Sequence, residues 1–437
     1  MTMELPREVL ACINALEAAG FAAWAVGGCV RDACLGLEPQ DFDLCTAALP
    51  EQTQAVFSDR TLVLAGVKHG TVGVVTDRGV VEITTFRREG AYLDSRHPAW
   101  VDFVPDLKQD LARRDFTVNA MAYSPTRGLA DPFGGREDLK GRILRAVGDP
   151  ETRFREDALR ILRGARFAVR YGLDVERDTE RAMVSSAQLL DRLARERVFD
   201  ELCKLLPLME TRDLLRFAPL LAAAIPELAP MIGFDQHSPH HAYDLYTHVA
   251  HVTAAVPRDL VLRWAALLHD IGKVPAFTRD ENGRGHFYGH AGLGADMAEA
   301  VLLRLKAPTA LRTQAVTLIR QHMTRLEPDK RVLRRWLSRL GEHTVRQLLE
   351  LQQADMGSKG TGNAAEMEQF PQIRALLQEI REENACLTLK DLAVNGNDLM
   401  QQGYEGRAIG QRLNRLLELV MDETLPNERD ALLNYPD

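Results

Sequence analysis

The chain has 437 residues, of which 46% are hydrophobic and 27% charged, the proportions of a soluble globular protein with room for about three domains of roughly 150 residues each. Its formal net charge of -8 excludes a uniformly basic nucleic-acid binder and confines any phosphate-backbone contact to local basic surface. The six cysteines, Cys12, Cys29, Cys34, Cys45, Cys203 and Cys386, form no C-x-x-C pair, which argues against a zinc ribbon and for reduced thiols in the cytoplasm.

Residues 1–7 lack a basic segment leading into an apolar one, and no uncharged apolar run reaches about 18 residues; the expectation is a chain neither exported nor membrane-spanning. Residues 21–26 read as a buried strand. Gly27-Gly28 then permits a tight strand-to-helix turn whose N–H groups can hold phosphate oxygens, and Arg31, about one helical turn on, adds a charged fork. In Asp41-Phe42-Asp43-Leu44 the strand period of two sends both aspartates to one face and Phe42 and Leu44 into the core. Two carboxylates on one face repel, and hard oxygen ligands that leave positions for water and phosphate suit Mg²⁺. Either motif alone reads equally as an ordinary turn or a solvated strand end. A carboxylate pair and a phosphate cradle in adjacent elements are together what nucleotidyl transfer requires.

Further β-branched runs at 62–65, 71–76 and 80–86 complete an α/β head with a mixed sheet. Glu82, on a strand beside the aspartates, is a candidate third acid. Residues 87–98 have many charges and no period, which predicts a mobile loop. In Arg113-Arg114-Asp115-Phe116-Thr117-Val118-Asn119-Ala120, consecutive arginines before an apolar strand are expected to meet an external anion such as a triphosphate, the alternative being a solvated charge cluster.

After about Pro150 the pattern turns to long amphipathic helices. Residues 136–170 carry ten Lys/Arg against six Asp/Glu, so RNA is expected to bind there. Within this stretch Asp157, Arg160, Arg163 and Arg166 recur every third residue and predict one polar stripe on a single helix; an R-x-x-R stripe is commonly just solvated. Cytosine and adenine both present an amino donor beside a ring-nitrogen acceptor. Asp157 accepting from that amino group and Arg160 donating to that nitrogen would admit C and A and reject G and U.

Nine of the twelve histidines fall between His237 and His322. His269 and Asp270 end an apolar helix, where adjacent polar groups are odd core residues without a metal. His248 lies before them; His290, His322 and Asp355 follow. His237, His240, His241 and His251 are expected to be surface or helix-packing residues.

The motifs GGCVRD, DFD, RRDFTVNA and EDALR resemble the bacterial class of CCA-adding tRNA nucleotidyltransferases and their close relatives, the bacterial poly(A) polymerases. The resemblance covers residues 20–210 and resumes at 387–434. It implies an α+β multidomain fold: a nucleotidyltransferase head of the DNA polymerase β type (1–145), a helical neck and body (146–235), a further helical domain (236–365) and a tRNA-binding tail (366–437). It implies tRNA, CTP and ATP as partners, Mg²⁺ on Asp41 and Asp43 as the catalytic pair, triphosphate on Gly28 and Arg31, and nucleotide on Arg114. Asp157 and Arg160 would read the base, with Arg163 and Arg166 supporting. The histidine-rich segment looks like an HD-type phosphohydrolase domain, which implies a divalent transition metal or Mg²⁺ on His248, His269, Asp270 and Asp355, with His290 and His322 as further ligands or phosphate contacts. Poly(A) polymerase, partial CC- or A-addition, and an HD phosphohydrolase with an RNA-binding head are the alternatives.

Overall fold

The computed structural model describes residues 3–90, 100–238, 242–360 and 364–436. The chain divides into two compact units, Met1–Met209 with Arg216–Ala229, and Glu210–Leu215 with Pro230–Asp437.

The head of the first unit carries nine described strands: β1 (Ala23–Val26), β2 (Asp43–Thr46), β3 (Leu62–Val63), β4 (Thr71–Thr76), β5 (Gly79–Thr85), β6 (Arg87–Glu89), β7 (Val101–Phe103), β8 (Ala122–Ser124) and β9 (Gly128–Ala130), and two more, Ile143–Leu144 and Asp174–Val175, pair in parallel beyond it. Seven of them form one mixed sheet in the order β3-β4-β5-β2-β1-β8-β9. The Ala-Trp-Ala-Val sequence of β1 is buried throughout, as its central place requires. In β4 and β5, Val72, Val74, Val81 and Ile83 are buried while Val75 and Val80 are exposed, the alternation of a sheet with one face on the core. Trp24, Val26, Cys45, Phe86 and Leu111 lie in that core.

Register decides what the sheet brings together. Antiparallel β1 sets Val26 beside Asp43, and parallel β5 sets Glu82 on the other side of Asp43. The end of β1, where the chain enters the double glycine, therefore shares a sheet edge with two acids.

Three sequence expectations need correction here. Leu64 and Ala65 fall outside β3. Residues 87–89 are a strand, pairing antiparallel with 101–103; their charges are compatible with a two-stranded ribbon because Arg88 meets Asp102 across it at 3.1 Å. Residues 91–98 of the expected loop lie outside the described residues. The expected continuous helix across Asp157 is instead two, Pro150–Glu156 and Leu159–Tyr171, and Asp157 between them is extended at φ -139, ψ 102. Its carboxylate accepts from Leu159 N at 3.1 Å, the local bond by which aspartate starts a helix rather than continuing one.

Among its described residues the second unit is built of helices with one two-stranded ribbon, Thr278–Arg279 with Gly285–His286. Asp244, Asp259 and Asp329 cap the helices Leu245–Ala255, Leu260–Leu268 and Lys330–Leu340 through their side chains, which fixes where each begins. Toward the C-terminus, helices Gly396–Gln401, Arg407–Met421 and Arg429–Leu433 follow Leu392 and Val394, which cluster with Leu416, Met421 and Leu432. Among the described residues no helix is long and apolar enough to cross a membrane.

Candidate nucleotide and metal sites

Asp41 precedes β2 rather than lying in it, and Phe42 is only half-buried, so the aspartates sit at the strand's mouth and not along it. Both still open on one cavity of about 410 Å³, which Glu82, Gln40, Thr76 and Arg78 also line. Loss of water, then the charges of Glu82 and Asp41, raise the Asp43 carboxyl above its ordinary value, with Arg114 opposing. Three acids gathered in a cleft call for a cation, and an all-oxygen set of this kind matches a hard divalent ion.

Arg114 reaches the adjoining turn. Gly27 has φ +79, and a side chain there would stand 3.0 Å from Arg114 Nη1; at Gly28 it would stand 3.6 Å from Arg31 Nη2. Two guanidinium groups therefore lie over the double glycine, and Gly27 is required both by its backbone angle and by this close approach. Arg113 is engaged by an internal acid: it pairs with Asp110 at 2.9 Å, and Asp110 is fully buried. Arg114 makes only a longer contact to the same carboxylate, 3.4 Å. The arginine pair is thus split, one side chain taken up by an acid three residues earlier and one left to the turn.

Arg31 is buried and held from three directions: Asp32 at 2.7 Å, Asn119 Oδ1 at 2.6 Å and Tyr171 Oη at 2.5 Å. Its guanidinium also lies 4.3 Å from the Tyr171 ring centroid, a cation–π distance. Asn119 in turn donates to Asp115 at 3.0 Å, and Arg163 donates to Asp115 at 2.7 Å. Burial alone would raise the Asp115 carboxyl; Arg163 and Asn119 outweigh it and hold it at about 2. The chain of contacts from Arg31 through Asn119 and Asp115 to Arg163 joins the glycine turn to the helix Leu159–Tyr171.

The predicted arginine stripe is not a solvated face. Arg160 and Arg166 are buried. Arg166 binds Glu201 on the helix Arg195–Leu205. Arg160 donates to Glu156 at 2.7 Å, Arg153 O at 3.1 Å and Arg113 O at 2.9 Å, which takes three of the five guanidinium N–H donors. Asp157 lies off the helix and accepts from Arg197 at 3.1 Å. Sequence reasoning missed Asn119, Asp115, Tyr171 and Arg197. The first two stand inside the RRDFTVNA motif and were legible there; the others come from distant segments.

In the second unit the predicted histidine series converges. His248 is on the helix Leu245–Ala255, His269 closes Leu260–Leu268, His290 opens His290–Arg304, His322 closes Thr309–Gln321, and Asp355 is on Glu342–Gly357. Every one of these histidine rings is buried. In each, Nδ1 faces a backbone carbonyl: Ser358 O at 3.3 Å, Ala266 O at 2.7 Å, Phe287 O at 2.8 Å and Ile319 O at 2.6 Å respectively. A ring that donates from Nδ1 presents a lone pair at Nε2. Those Nε2 atoms point inward, at 3.6 Å (His248) and 3.1 Å (His269) from Asp270 Oδ2, and 3.4 Å (His290) and 3.8 Å (His322) from Oδ1. His248 Nε2 is also 3.0 Å from Asp355 Oδ1. Burial pushes His322 down to about 4, keeping it neutral, whereas the Asp270 carboxylate overcomes burial at His269 and raises it. Inward lone pairs around carboxylates repel unless a cation lies among them, so this donor set matches a divalent metal. Lys273, 2.8 Å from Asp270 Oδ2, was legible as the last residue of HDIGK and was not assigned. His251 stacks on Tyr243 at 4.7 Å, a packing role as expected; His240 and His241 lie outside the described residues.

The family described as "Poly A polymerase head domain" matches residues 23–145, "Probable RNA and SrmB- binding site of polymerase A" matches 172–232, and "tRNA nucleotidyltransferase domain 2 putative" matches 286–435. The chain is 34% identical to the CCA-adding enzyme of Streptococcus gordonii over 98% of its own length and 96% of the relative's. The crystal structure of the Bacillus stearothermophilus CCA-adding enzyme in complex with CTP superposes with a TM-score of 0.72 at 29% identity, covering 99% of this chain and 96% of that one. A Thermotoga maritima CCA-adding enzyme complexed with tRNA shares the fold, with a TM-score of 0.63 at 20% identity over 98% and 95% of the two chains.

Proposed function

The chain belongs to the family of CCA-adding enzymes, and from that premise we propose that it adds C, C and A to the 3′ end of tRNA, without a template, from CTP and ATP, in the cytoplasm. The observation that carries the site assignment is the shared sheet edge of Asp43, Glu82 and the glycine turn. Asp41 and Asp43 hold Mg²⁺, with Glu82 beside them; when bound, the ion lowers the pKa of the attacking hydroxyl and offsets charge on the departing pyrophosphate. The tRNA 3′-hydroxyl oxygen bonds to the α-phosphorus, the bond from that phosphorus to the β-phosphate oxygen breaks, and the hydroxyl proton passes to water. Gly28, Arg31 and Arg114 hold the triphosphate, and the tie from Arg31 to Tyr171 fixes the neck helix against it.

Asp157 accepts from the amino group of C or A, and Arg160 donates one of its remaining N–H groups to the ring nitrogen. Arg163 and Arg166 act through Asp115 and Glu201 by holding that helix in place. The test is tRNA ending at its discriminator nucleotide, incubated with single nucleoside triphosphates and then with both. Incorporation of C, C and then a single A supports the proposal; unbounded A-tails assign the chain to the poly(A) polymerases instead, and A added only to a C-C end makes it a partial enzyme.

A second reading concerns the second unit. The four inward Nε2 atoms support a divalent-metal phosphohydrolase of HD type, with His248, His269, Asp270 and Asp355 as its minimal ligand set.

A further inference from the structure

We propose that the Tyr171 hydroxyl is a selectivity-determining contact: by pinning the far end of the neck helix to the glycine turn, it sets where Asp157 and Arg160 meet the base. The proposal rests on the nucleotide site assigned above. A nucleotide bound there is gripped at two places, its triphosphate over the glycine turn and its base at Asp157 and Arg160. The helix Leu159–Tyr171 reaches both. Arg160 is its second residue and Tyr171 its last, eleven residues on, or about 16 Å at 1.5 Å per residue. Near its start the helix is tied to the RRDFTVNA segment, by Arg160 to Arg113 O at 2.9 Å and by Arg163 to Asp115 at 2.7 Å. At its end it is tied to the glycine turn, where Arg31 Nη2 donates to Tyr171 Oη at 2.5 Å. A rod held near one end pivots; held at both, its axis is fixed.

Arg31 joins the two grips in a single guanidinium. Asp32 takes N–H groups from Nε at 2.9 Å and Nη2 at 2.7 Å, Asn119 takes one from Nη1 at 2.6 Å, and Tyr171 takes the second from Nη2. That accounts for four of the five donors, and among the described residues one Nη1 N–H remains for a phosphate oxygen. The position of the triphosphate is therefore passed to the helix through the Tyr171 hydroxyl. Burial, opposed by Arg31, raises that hydroxyl above its ordinary value, so at neutral pH it keeps its proton and donates to Asp32 while accepting from Arg31. The guanidinium also lies 4.3 Å from the Tyr171 ring centroid and 5.3 Å from that of Phe167, one turn earlier, cation–π distances that survive removal of the hydroxyl. Direction comes from the hydrogen bond, which weakens steeply with angle. Without it the helix keeps its contact with Arg31 and loses its alignment at the base.

The test measures kcat and KM for CTP and for UTP on the full chain and on Tyr171→Phe, with tRNA ending at its discriminator nucleotide and thermal melting as a check on folding. In the variant, kcat for CTP should fall roughly 10- to 100-fold, the effect of a displacement of about 1 Å, with KM for CTP unchanged within about twofold. Preference for CTP over UTP should fall about tenfold, within the range of one base contact. In the Asp157→Ala background the same change should remove no further preference, because residues that act through one another are not additive. Equal losses for CTP and UTP overturn the proposal and leave Tyr171 a packing residue; KM raised alike for both overturns it in favour of a phosphate role; additive losses with Asp157→Ala overturn the coupling. No incorporation of CTP by the parent overturns the nucleotide-site reading together with the proposal.

Discussion

Asp43 and Glu82 stand side by side on parallel strands, and loss of water and then the charge of Glu82 raise the Asp43 carboxyl. A carboxyl raised in the folded state favours folding at low pH, and that contribution is lost as pH rises through the raised value. At neutral pH without a divalent ion the pair is therefore a penalty. Glu82→Gln should raise the melting temperature in chelator by the equivalent of roughly 0.5–1 kcal/mol, the cost of like charges on adjacent strands, and the gain should vanish on adding Mg²⁺. The same change should lower CTP incorporation about 10- to 100-fold, as loss of a group supporting metal ligands does. Equal melting temperatures in chelator would separate Glu82 from the site.

Asp115 carries the opposite sign. Its carboxyl is held at about 2 by Arg163 and Asn119, so its stabilisation is present above the unfolded value near 3.9 and is lost as pH falls toward 2. Asp115→Asn should cost about 2 kcal/mol at pH 7, read by denaturant unfolding, with the gap to the parent closing in acid. A gap that persists at pH 2 would assign the loss to packing instead of charge.

Gly27 tests the cradle. Gly27→Ala introduces a side chain at φ +79 and 3.0 Å from Arg114 Nη1; strain of this class costs about 1–3 kcal/mol. Displacing Arg114 should raise KM for CTP. An unchanged KM would show that Arg114 does not serve the triphosphate from this position.

The proposed base selection rests on Asp157 and Arg160. Removing either by alanine should lower discrimination against UTP and GTP by about 1–3 kcal/mol, the usual worth of a paired base contact. Arg197→Ala, which frees Asp157 of its present partner, should alter selectivity in the same assay while Mg²⁺ binding survives. Selectivity unchanged in all three variants would remove the template role from this part of the neck.

The head was legible because its chemistry is local. G-G, D-x-D and the β-branched runs each lie within a few residues, and strand period placed Leu44 in the core, where it is buried, and Phe42 beside it, which is only half-buried. What escaped were contacts between distant segments. Arg31 and Tyr171 are 140 residues apart, and Arg166 and Glu201 are 35 apart; a sequence read by periodicity has no signal for such pairs, and the spacing showed a polar stripe without its internal ion pairs. The break at Asp157 was local, yet a three-residue recurrence of charge concealed it, because aspartate at a helix start and aspartate on a helix face satisfy the same spacing. The histidine series was legible as an order of residues; only the packed helices showed that its rings turn toward Asp270.

The most direct test of the central claim is the structure of the protein with CTP and Mg²⁺ bound. The account predicts Mg²⁺ at about 2.0–2.1 Å from carboxylate oxygens of Asp41 and Asp43, the triphosphate over Gly28 beneath Arg31 and Arg114, and the cytosine edge on Asp157 and Arg160. A triphosphate with both aspartates turned away from it, or a base remote from the helix Leu159–Tyr171, would contradict it.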